Sequence, residues 1–461
     1  MFGIIFFGNF EKNLWPLSTD LCSENLLTIS ENKTIFQSIF ELLIQKIPQG
    51  NIITVANRNI LQKLQEQLKQ LSSYPKILSE PIAKNTAPSI VTATKYIAQT
   101  FSPEEIILAI PSDIIIKDVE TFKSAVNKAE TLAQNGYIVT FGINPSNNIT
   151  YFAQIKTSIP INNGFKVETY NEISEIQLPL KANINENYFS NCGILMFKAS
   201  TLLDEIKKYC PEISKNIDNI NFQNSPEIPY IEYEKMPDIS IDKALLKQTD
   251  KLAMVKLECD FQHIRNWHNV YEFQQKDLRG NYFTGEVIDK GSENCLIYSS
   301  SKPIATIGLE NTIIIETPNA ILACNKNKTD EIKEIYETFQ NQKTNSLNNP
   351  VYRPWGFYTV IAKGKGFLTK IIHVNPKQKL SLQSHEHRCE HWVVLSGKAK
   401  VILDSKDFIL APGQSIDIPL KAIHSLQNPF EDNLEIIEIQ KGDILIEEDI
   451  IRYEDMYGRC T

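Results

Sequence analysis

The chain has 461 residues, of which 42% are hydrophobic; this is enough to fill the cores of two or three domains and too much for a disordered protein. Its 55 acidic side chains outnumber its 47 basic ones, and no basic run is dense enough to match a row of phosphates, so we expect no nucleic acid partner. No segment has the roughly 20 apolar residues that span a membrane, the first residues lack the pattern of a signal peptide, and no two cysteines form a C-x-x-C pair, so we expect a reduced, cytoplasmic protein without a membrane partner.

Short β-rich runs alternate with helical patterns from Phe2 to about Lys207. The segments are Phe2–Phe7, the helix-like Thr34–Gln45, Ile52–Val55, Ile90–Gln99, Glu105–Ile110, Val119–Gln134 and Tyr137–Gly142. Such alternation is typical of βαβ units on a mostly parallel sheet. The apolar run ILAIP is followed by Ser112 and Asp113, and ligands of such sheets bind beyond the carboxyl ends of the strands. We therefore expect a ligand site near Asp113.

A β-rich region and then an all-β region follow this alternation. Short strands with little helix between them run from about Gly280 to Cys324, which indicates a sheet or β-helix extension. A helical stretch at Asp330–Gln342 and the polar segment KTNSLNNP, a predicted linker, come next. Beyond them, closely spaced strands predict a closed or double-sheet barrel; they are Phe357–Ala362, Phe367–Val374, His391–Leu403, Gln414–Ile418 and Leu434–Gln440. We place the three regions at residues 1–285, 286–345 and 346–461.

Possible metal ligands are concentrated in the segment LSLQSHEHRCEHWVV, which contains three of the seven histidines. On a strand, Gln383 and His385 project from the same face, and Glu390 follows after a short turn that can return it to the same centre. A further ligand comes from the segment GQSIDIPLKAIHSLQN, where Pro419 terminates a separate strand and His424 follows it. Two imidazoles, one carboxylate and one amide oxygen suit zinc or another divalent first-row metal, with a position left open for substrate. The alternative is a surface strand with incidental histidines.

A family resemblance supports the metal site. The order of residue types resembles both cupin signatures, at His385, Glu390, Gly397, Gly413, Pro419, His424 and Asn428, with Gln383 in place of the usual first histidine and Lys421 in place of a glycine. The blocks VYRPWGFY, LSLQSHEHRCEHWVVLSGKA and IEIQKGDILIEEDIIRYEDMYGR resemble the C-terminal domain of type II phosphomannose isomerases. The resemblance implies a cupin domain, a double-stranded β-helix, that interconverts mannose 6-phosphate and fructose 6-phosphate.

Isomerisation of an aldose phosphate to a ketose phosphate moves a proton between C1 and C2, so the site needs a base, an electrophile and a phosphate anchor. Glu438 and His391 are candidates to carry the proton. Three arginines are candidates to bind the phosphate: Arg388, Arg452 and Arg459. The resemblance places the last two in matching positions, and a surface ion pair is the alternative for each. We predict that Trp355 and Trp392 are core residues.

The preceding 340 residues resemble mannose-1-phosphate guanylyltransferases, which are fused to this isomerase domain in bifunctional enzymes. The matching segments are LWPLS, EPIAKNTAP, PSD, FGINP, SNCGI, SID and KDLRGN. The resemblance implies an α/β nucleotidyltransferase-like, Rossmann-like domain, with GTP and magnesium as cofactors if that domain is active.

Several residues that this chemistry needs are replaced, however. The nucleotide loop of the family has the sequence pattern G-G-x-G-T-R-L-W-P-L-S-R, whereas this chain has GNFEKNLWPLST at the same place. Cations of the family are replaced at Asn13, Thr19, Glu24 and Ile173, and glycines are replaced at Tyr151 and Ala153. His263 stands where the family has its second magnesium carboxylate, so Asp113 is the carboxylate that remains. We therefore predict an isomerase whose N-terminal domain is a scaffold or a regulator. The alternatives are the full bifunctional enzyme of GDP-mannose synthesis and a non-enzymatic sugar-phosphate sensor, and a homo-oligomer is possible in each case.

Overall fold

The structure is a computed structural model that describes residues 1–7, 12–18, 28–30, 33–71, 75–144, 153–172, 187–223, 226–318, 320–341, 350–353 and 355–454. The predicted linker residues 343–349 and several predicted positions lie outside the described residues: Thr19, Glu24, Tyr151, Ile173 and Arg459. The chain divides into two compact units. The first comprises Met1–Ser299, Pro303–Ile315 and Leu322–Tyr336, and the second comprises Ser300–Lys302, Glu316–Ile321 and Glu337–Thr461. None of the helices in the described ranges is both long and apolar enough to cross a membrane.

The first unit begins with an α/β region. Its elements are β1 (Phe2–Phe6), β2 (Thr28–Ser30), β3 (Lys33–Thr34), α1 (Ile35–Ile44), β4 (Ile52–Asn57), α2 (Leu61–Gln70), β5 (Lys76–Glu80), α3 (Thr86–Thr100), β6 (Ile106–Pro111), β7 (Ile114–Ile116), α4 (Val119–Gln134), β8 (Ile138–Ile143), β9 (Gln154–Ile161), β10 (Gly164–Asn171), β11 (Tyr188–Lys198), α5 (Ala199–Tyr209), α6 (Pro211–Ile217), α7 (Tyr230–Glu234), β12 (Leu252–Lys256), β13 (Phe261–His263) and α8 (Trp267–Phe273).

The central sheet of this region has the strand order β5-β4-β1-β6-β11-β8-β12-β10-β9. Its first four strands are parallel, and Ile5 lies between Thr54 and Ile110 in register. The antiparallel β11 then separates β6 from β8, so the remainder of the sheet is mixed. Every residue of β1 is buried, which accounts for its uninterrupted apolar sequence FGIIF.

Side-chain caps fix the starts of three helices of this region, α1, α3 and α4. Thr34 caps α1 in a capping box with Gln37, whose side chain accepts from the Thr34 amide. Asn85 caps α3, and Asp118 caps α4 by accepting a hydrogen bond from the amide of Thr121. These signals are local in sequence, and the predicted α4 span agrees with the observed one.

Short parallel strands form the β-rich connector. They are β14 (Tyr282–Thr284), β15 (Val287–Lys290), β16 (Leu296–Ser299), β17 (Ile304–Ile307), β18 (Thr312–Glu316) and β19 (Ile321–Asn325), followed by α9 (Ile332–Asn341). β14 pairs in parallel with β16, and β15 pairs in parallel with β17. Parallel pairing between strands so close in the chain is the arrangement of a β-helix, as predicted. The boundaries placed after residues 285 and 345 stay predictions.

The second unit contains the all-β region. Its strands are β20 (Pro350–Arg353), β21 (Gly356–Gly364), β22 (Phe367–Val374), β23 (Gln378–Lys379), β24 (Leu382–His385), β25 (Arg388–Ser396), β26 (Ala399–Leu403), β27 (Lys406–Leu410), β28 (Ser415–Ile418), β29 (His424–Asn428), β30 (Leu434–Gly442) and β31 (Ile450–Glu454). One sheet has the order β20-β21-β22-β30-β25-β28, and the other has the order β27-β26-β29-β24-β31 with β23 beside β29. All these pairs are antiparallel, and the double-sheet cupin prediction is confirmed.

The predicted single strand His391–Leu403 is two strands, which belong to different sheets. β25 ends at Ser396 and β26 begins at Ala399, with Gly397 between them at φ +76°. A Cβ at Gly397 would lie 2.3 Å from the backbone oxygen of Asn433. The position therefore requires glycine for both its conformation and its close approach, and the chain changes sheet there.

Side chains along each strand alternate between the interior of the barrel and its outer face. On β25 the inward residues are Arg388, Glu390, Trp392 and Val394, and on β30 they include Glu438 and Gln440. Around Trp392 the interior is apolar, with Trp355 among its buried members. The inward polar residues lie together beside this core and form the walls of the candidate site.

Candidate active site

His385, Glu390 and His424 come from three strands and meet in the interior of the barrel. β24 contributes His385, β25 contributes Glu390 and β29 contributes His424, and all three are buried. Nε2 of His385 lies 3.1 Å from Oε1 of Glu390, and Nε2 of His424 lies 3.8 Å from Oε2. One ligand atom of each residue falls within 4.8 Å of the other two. Separate strands thus direct two imidazoles and one carboxylate to one point.

Donors surround the Glu390 carboxylate on both oxygens. Oε1 accepts from Nε of Arg388 at 3.1 Å and from Nε2 of Gln440 at 3.0 Å, and Oε2 accepts from Nε1 of Trp392 at 3.0 Å. Burial on its own raises the pKa of Glu390, but His385, His424 and Arg388 outweigh it and hold that pKa well below its usual range. Glu390 is therefore a fixed, ionised carboxylate.

The hydrogen bonding of His424 fixes which ring nitrogen is available. Nδ1 lies 2.9 Å from the carbonyl oxygen of Ala422, which can only accept, so Nδ1 carries the proton. Burial lowers the pKa of His424, which keeps the ring neutral. Nε2 then has a free lone pair directed toward Glu390, in the form in which imidazole binds metals.

The chemistry of this group fits a divalent metal. Across the described ranges, Nε2 of His424 and Nδ1 of His385 are buried without a hydrogen-bond partner, and the 3.1 Å contact of Nε2 of His385 with Glu390 lacks hydrogen-bond geometry. Buried polar atoms are seldom left without partners, and two such imidazoles beside an ionised carboxylate make a set suited to zinc or a similar metal. Gln383 stays a predicted fourth ligand. It lies opposite His424 in register, and its Oε1 accepts from Ser381 at 2.9 Å, which leaves one lone pair of the amide oxygen.

A cavity beside this group is lined by Gln383, Glu390, Glu438, Gln440, Lys370 and Arg452, among others. Gln440 bridges two carboxylates, because its Nε2 donates to Glu390 at 3.0 Å and to Glu438 at 2.9 Å. Burial and the charge of Glu390 raise the pKa of Glu438 to about 8, against the opposing effect of Lys370 and Arg388. Glu438 thus combines a position in the cavity with a pKa suited to moving protons near neutral pH.

The predicted arginines have different surroundings. Arg388 is buried; besides Glu390, its guanidinium contacts the carbonyl oxygen of Ile446 at 2.9 Å and Asp449 at 3.6 Å. These contacts make Arg388 a support for Glu390. Arg452 lies opposite Gln383 in register, and its buried Nε has no partner within the described part of the chain. Arg459 lies outside the described residues.

His391 does not join the site, and we withdraw it as a proton carrier. It follows Glu390 directly on β25, so its side chain points to the other face of the sheet. There its Nδ1 lies 2.7 Å from Oδ1 of Asp417, and its side chain is 38% exposed. The interpretation failed because adjacent residues of one strand cannot face the same centre.

The contributions of four residues to the site were missed at the sequence level. Trp355 and Trp392 are core residues, as predicted, but Trp355 also lines the cavity and Trp392 donates to Glu390. Lys370 and Gln440 line the cavity as well. The signal was present in the alternation, because a lysine or glutamine at an inward position of an apolar strand is unusual. The residues that Lys370 and Gln440 face on the neighbouring strands could not be predicted from the sequence, since they depend on the register of the sheet.

A second group of polar side chains lies in the α/β region, at the carboxyl end of β6. Oδ2 of Asp113 is 2.6 Å from Nε2 of His263. β13 pairs with β7, and the amide of Ile264 donates to the backbone oxygen of Asp113 at 2.9 Å, which fixes the two side chains side by side. Burial raises the pKa of Asp113, but His263 and then Arg265 outweigh it and lower that pKa.

This pair does not fit magnesium well. Magnesium prefers oxygen ligands, and one oxygen of Asp113 is already engaged by an imidazole nitrogen at the position where the resemblance leads us to expect a second carboxylate.

Comparison with known proteins covers the whole chain. Residues 2–232 match the family described as nucleotidyl transferase, residues 285–339 match the MannoseP isomerase/GMP-like beta-helix domain, and residues 340–455 match the mannose-6-phosphate isomerase C-terminal family. Alginate biosynthesis protein AlgA of Pseudomonas aeruginosa is 34% identical over 100% of this chain and 98% of its own. A mannose-1-phosphate guanylyltransferase of Klebsiella pneumoniae is 33% identical over 99% of each chain. The chain belongs to the family of mannose-1-phosphate guanylyltransferases that carry a C-terminal isomerase domain.

Membership in this guanylyltransferase–isomerase family confirms the resemblances and the order of the three regions. A solved structure described as mannose-1-phosphate geranyltransferase from Thermus thermophilus aligns with a TM-score of 0.64 and 19% identity, over 74% of this chain and 99% of that chain, and this likeness shows the fold alone. The names of relatives that match over nearly their whole length favour a guanylyltransferase over the predicted isomerase as the main activity. The predicted loss of N-terminal activity stays a prediction.

Proposed function

We propose that the C-terminal barrel interconverts mannose 6-phosphate and fructose 6-phosphate, and so supplies precursors for GDP-mannose and polysaccharide synthesis. The observation that carries the proposal is the buried His385, Glu390 and His424 group beside a cavity that also holds Glu438. An aldose–ketose isomerisation needs a polarising centre and a base within reach of two adjacent carbons. Glu390 of this group and Glu438 line the same cavity here.

In the proposed reaction Glu438 moves the carbon-bound proton. Its carboxylate removes the proton from C2 of the open-chain aldose, and its carboxyl group returns that proton to C1. Gln440 orients this side chain, because it donates to Oε2 of Glu438 while Oε1 of Glu390 accepts from the same nitrogen. A divalent metal held by His385, Glu390 and His424 supplies polarisation of the substrate's carbonyl and hydroxyl oxygens when bound.

Arg452 is the proposed phosphate anchor. It lines the cavity, and its buried Nε lacks a partner among the residues that the structure describes, so a phosphate oxygen can complete its hydrogen bonding. Arg459 is proposed as a second anchor on the resemblance alone. Arg388 is assigned to Glu390 instead, because its guanidinium already contacts Glu390 and the backbone oxygen of Ile446.

The proposal is tested with His424→Ala, using His391→Ala on the outer face of the same barrel as the matched control. Conversion of fructose 6-phosphate to mannose 6-phosphate should be abolished in His424→Ala, together with most of the bound divalent metal. His391→Ala should keep both properties. Unchanged metal content and turnover in His424→Ala would show that the proposed site is wrong.

The second candidate function is guanylyl transfer from GTP to mannose 1-phosphate, which the names of the full-length relatives favour. It is tested by pyrophosphate release from the full chain with GTP, mannose 1-phosphate and magnesium. Robust release would establish the bifunctional enzyme, while the replacements at Asn13 and His263 lead us to expect little or none. Binding of sugar phosphate without turnover in either assay would favour the sensor.

A further inference from the structure

Lys370 occupies an unusual place for a lysine. It lies on β22 among inward-facing apolar residues, with Leu368 before it and Ile372 after it, and its side chain is only 12% exposed. Lysine side chains are rarely buried to this extent unless a partner compensates their charge. In register, Lys370 lies opposite Glu438 on β30, and Glu438 in turn lies opposite Trp392 on β25. One strand, β30, therefore lies between the strand of Lys370 and the strand of Glu390.

The contacts of Lys370 leave its hydrogen-bonding capacity unused. Its Nζ lies 3.6 Å from Oε2 of Glu438 and 4.6 Å from the centre of the Tyr358 ring. A charge-assisted hydrogen bond to a carboxylate is shorter, at about 2.7–2.9 Å, and an ammonium group has three donors. Within the described residues Nζ makes no hydrogen bond, and Lys370 lines the cavity together with Gln383 and Glu390. Its donors therefore face the space that a substrate would fill.

The neighbouring wall holds Lys370 in place through the Tyr358 ring, and its carboxylate, Glu447, attracts the ammonium group only from beyond hydrogen-bond distance. The hydroxyl of Tyr358 donates to Oε1 of Glu447 at 2.8 Å, and the guanidinium of Arg353 lies 3.2 Å from Oε2 of the same carboxylate. Arg353 therefore compensates the charge of Glu447, while the Tyr358 ring gives Lys370 a cation–π contact. The ring fixes the position of Nζ and offers no acceptor of its own in that direction.

The reaction proposed for the barrel requires such a donor. Removal of the C2 proton leaves a pair of electrons that forms the C1–C2 double bond and moves the carbonyl electrons onto O1. The charge that develops on O1 must be neutralised, and the hydroxyl proton on O2 must leave before C2 becomes a carbonyl. Glu438 serves the carbon atoms, and a polarising metal has no proton to give, so a further group must carry the protons that O1 gains and O2 loses.

We propose that Lys370 is a catalytic residue of the isomerisation, donating a proton from Nζ to O1 of the substrate and accepting one from O2. The proposal rests on the proposed function of the barrel. As O1 is protonated, Lys370 becomes a neutral amine, and the O2 proton then restores the ammonium group while the C2 carbonyl forms and C1 takes up the proton held by Glu438. Protons and electrons balance over the cycle, and no co-reactant is consumed.

The test compares Lys370→Met, which removes the ammonium group at similar length, with Lys441→Met as the control. Lys441 lies on β30 and is exposed on the outer face. In Lys370→Met, kcat should fall by about 10²- to 10⁴-fold in both directions, as is typical for loss of a general acid, with a smaller change in KM. Lys441→Met should match the unsubstituted chain.

Hydrogen exchange separates a catalytic role from a structural one. Without Lys370, the enediolate cannot move its proton from O2 to O1 and so cannot go on to fructose 6-phosphate. In D₂O, Glu438 takes up deuterium from the solvent and returns it to C2, which regenerates mannose 6-phosphate with deuterium at C2. The ratio of C2 exchange to conversion, measured by NMR, should therefore rise in Lys370→Met. Lys370→Arg keeps the charge but cannot release a proton near neutral pH, so its ratio should rise as well, and this variant remains informative if Lys370→Met does not fold.

Three results would overturn the proposal, and they are distinguishable. Turnover of Lys370→Met close to that of the unsubstituted chain would show that the lysine is not needed. Equal losses of exchange and conversion in both variants, with unchanged thermal unfolding, would assign it a structural role. Absence of isomerisation in the unsubstituted, metal-loaded chain would refute the proposed function itself and the role of Lys370 with it.

Discussion

Glu390→Gln is the substitution for which the structure makes the sharpest quantitative prediction. The change preserves the shape of the side chain, removes its charge and turns one oxygen into an NH₂ group. The oxygen Oε1 faces Arg388, Gln440 and His385 within 3.1 Å, and Oε2 faces Nε1 of Trp392 at 3.0 Å. Either orientation of the amide therefore points its NH₂ group at a donor.

The cost of this substitution follows from the two kinds of contact that it breaks. The better orientation places the NH₂ group against Trp392. The lone pair of His424 Nε2 is 3.8 Å away, beyond hydrogen-bond distance, and a buried donor without an acceptor costs about 1–3 kcal/mol. Loss of the carboxylate also leaves the buried Arg388 with Asp449 as its nearest remaining carboxylate, at 3.6 Å. Breaking a buried ion pair typically costs about 3–5 kcal/mol, so we expect the barrel to lose about 3–5 kcal/mol in total, because the two effects overlap.

The assay is urea unfolding of the metal-free protein, followed by tryptophan fluorescence. Replacing Trp15 and Trp267 by phenylalanine leaves only Trp355 and Trp392, both in the barrel, as reporters. His391→Gln, on the opposite face of the same strand, is the matched control and should be neutral. A loss below about 1 kcal/mol in Glu390→Gln, the value of an exposed ion pair, together with full metal retention, would refute the assignment of Glu390 as the buried, ionised centre of the site.

Three further predictions concern other parts of the chain. Gly397→Ala should destabilise the barrel by roughly 1–3 kcal/mol more than Gly413→Ala in urea unfolding. Both glycines have positive φ, but of the two only Gly397 would bring a Cβ against a backbone oxygen, at 2.3 Å, so equal losses of stability would contradict this account. Burial raises the pKa of Glu80 from 4.5 to about 7, so its contribution to stability is present below pH 4.5 and is lost as the pH rises through about 7; Glu80→Gln should remove a pH dependence of about 3 kcal/mol, and an unchanged pH profile would disprove it. His263→Asp should create magnesium binding beside Asp113, seen by calorimetry as a gain over the unsubstituted chain, and no gain would mean that His263 is not what displaces the metal.

Much of the fold was predictable because its signals are local. The span of α4 and that of β22 agree with the observed bounds, since each has an unbroken pattern and clear end signals. The helix α2 was missed, because its sequence LQKLQEQLKQ is mostly polar and has no side-chain cap. The mixed pairing of the central sheet was also hidden, since the insertion of β11 between β6 and β8 joins segments far apart in the chain.

The candidate site was predictable where ligand type and spacing carry the information. Histidine and glutamate at His385, Glu390 and His424 have few other uses together, and the structure brings them to one point. Lys370 and Gln440 were missed, because a single inward polar residue becomes meaningful only when its partner on the next strand is known. That partner depends on register, and register depends on the turns, such as the one at Gly397.

The register of β25 has a further consequence for the metal. A slip of one residue against its neighbours would exchange the two faces of the strand, turning Glu390 outward and bringing His391 toward His385 and His424. Two imidazoles and a carboxylate would become three imidazoles, without the negative charge that Arg388 now contacts. The metal that the protein retains after refolding therefore reports on strand alignment, and it would reveal a misfolded population whose secondary structure content is normal.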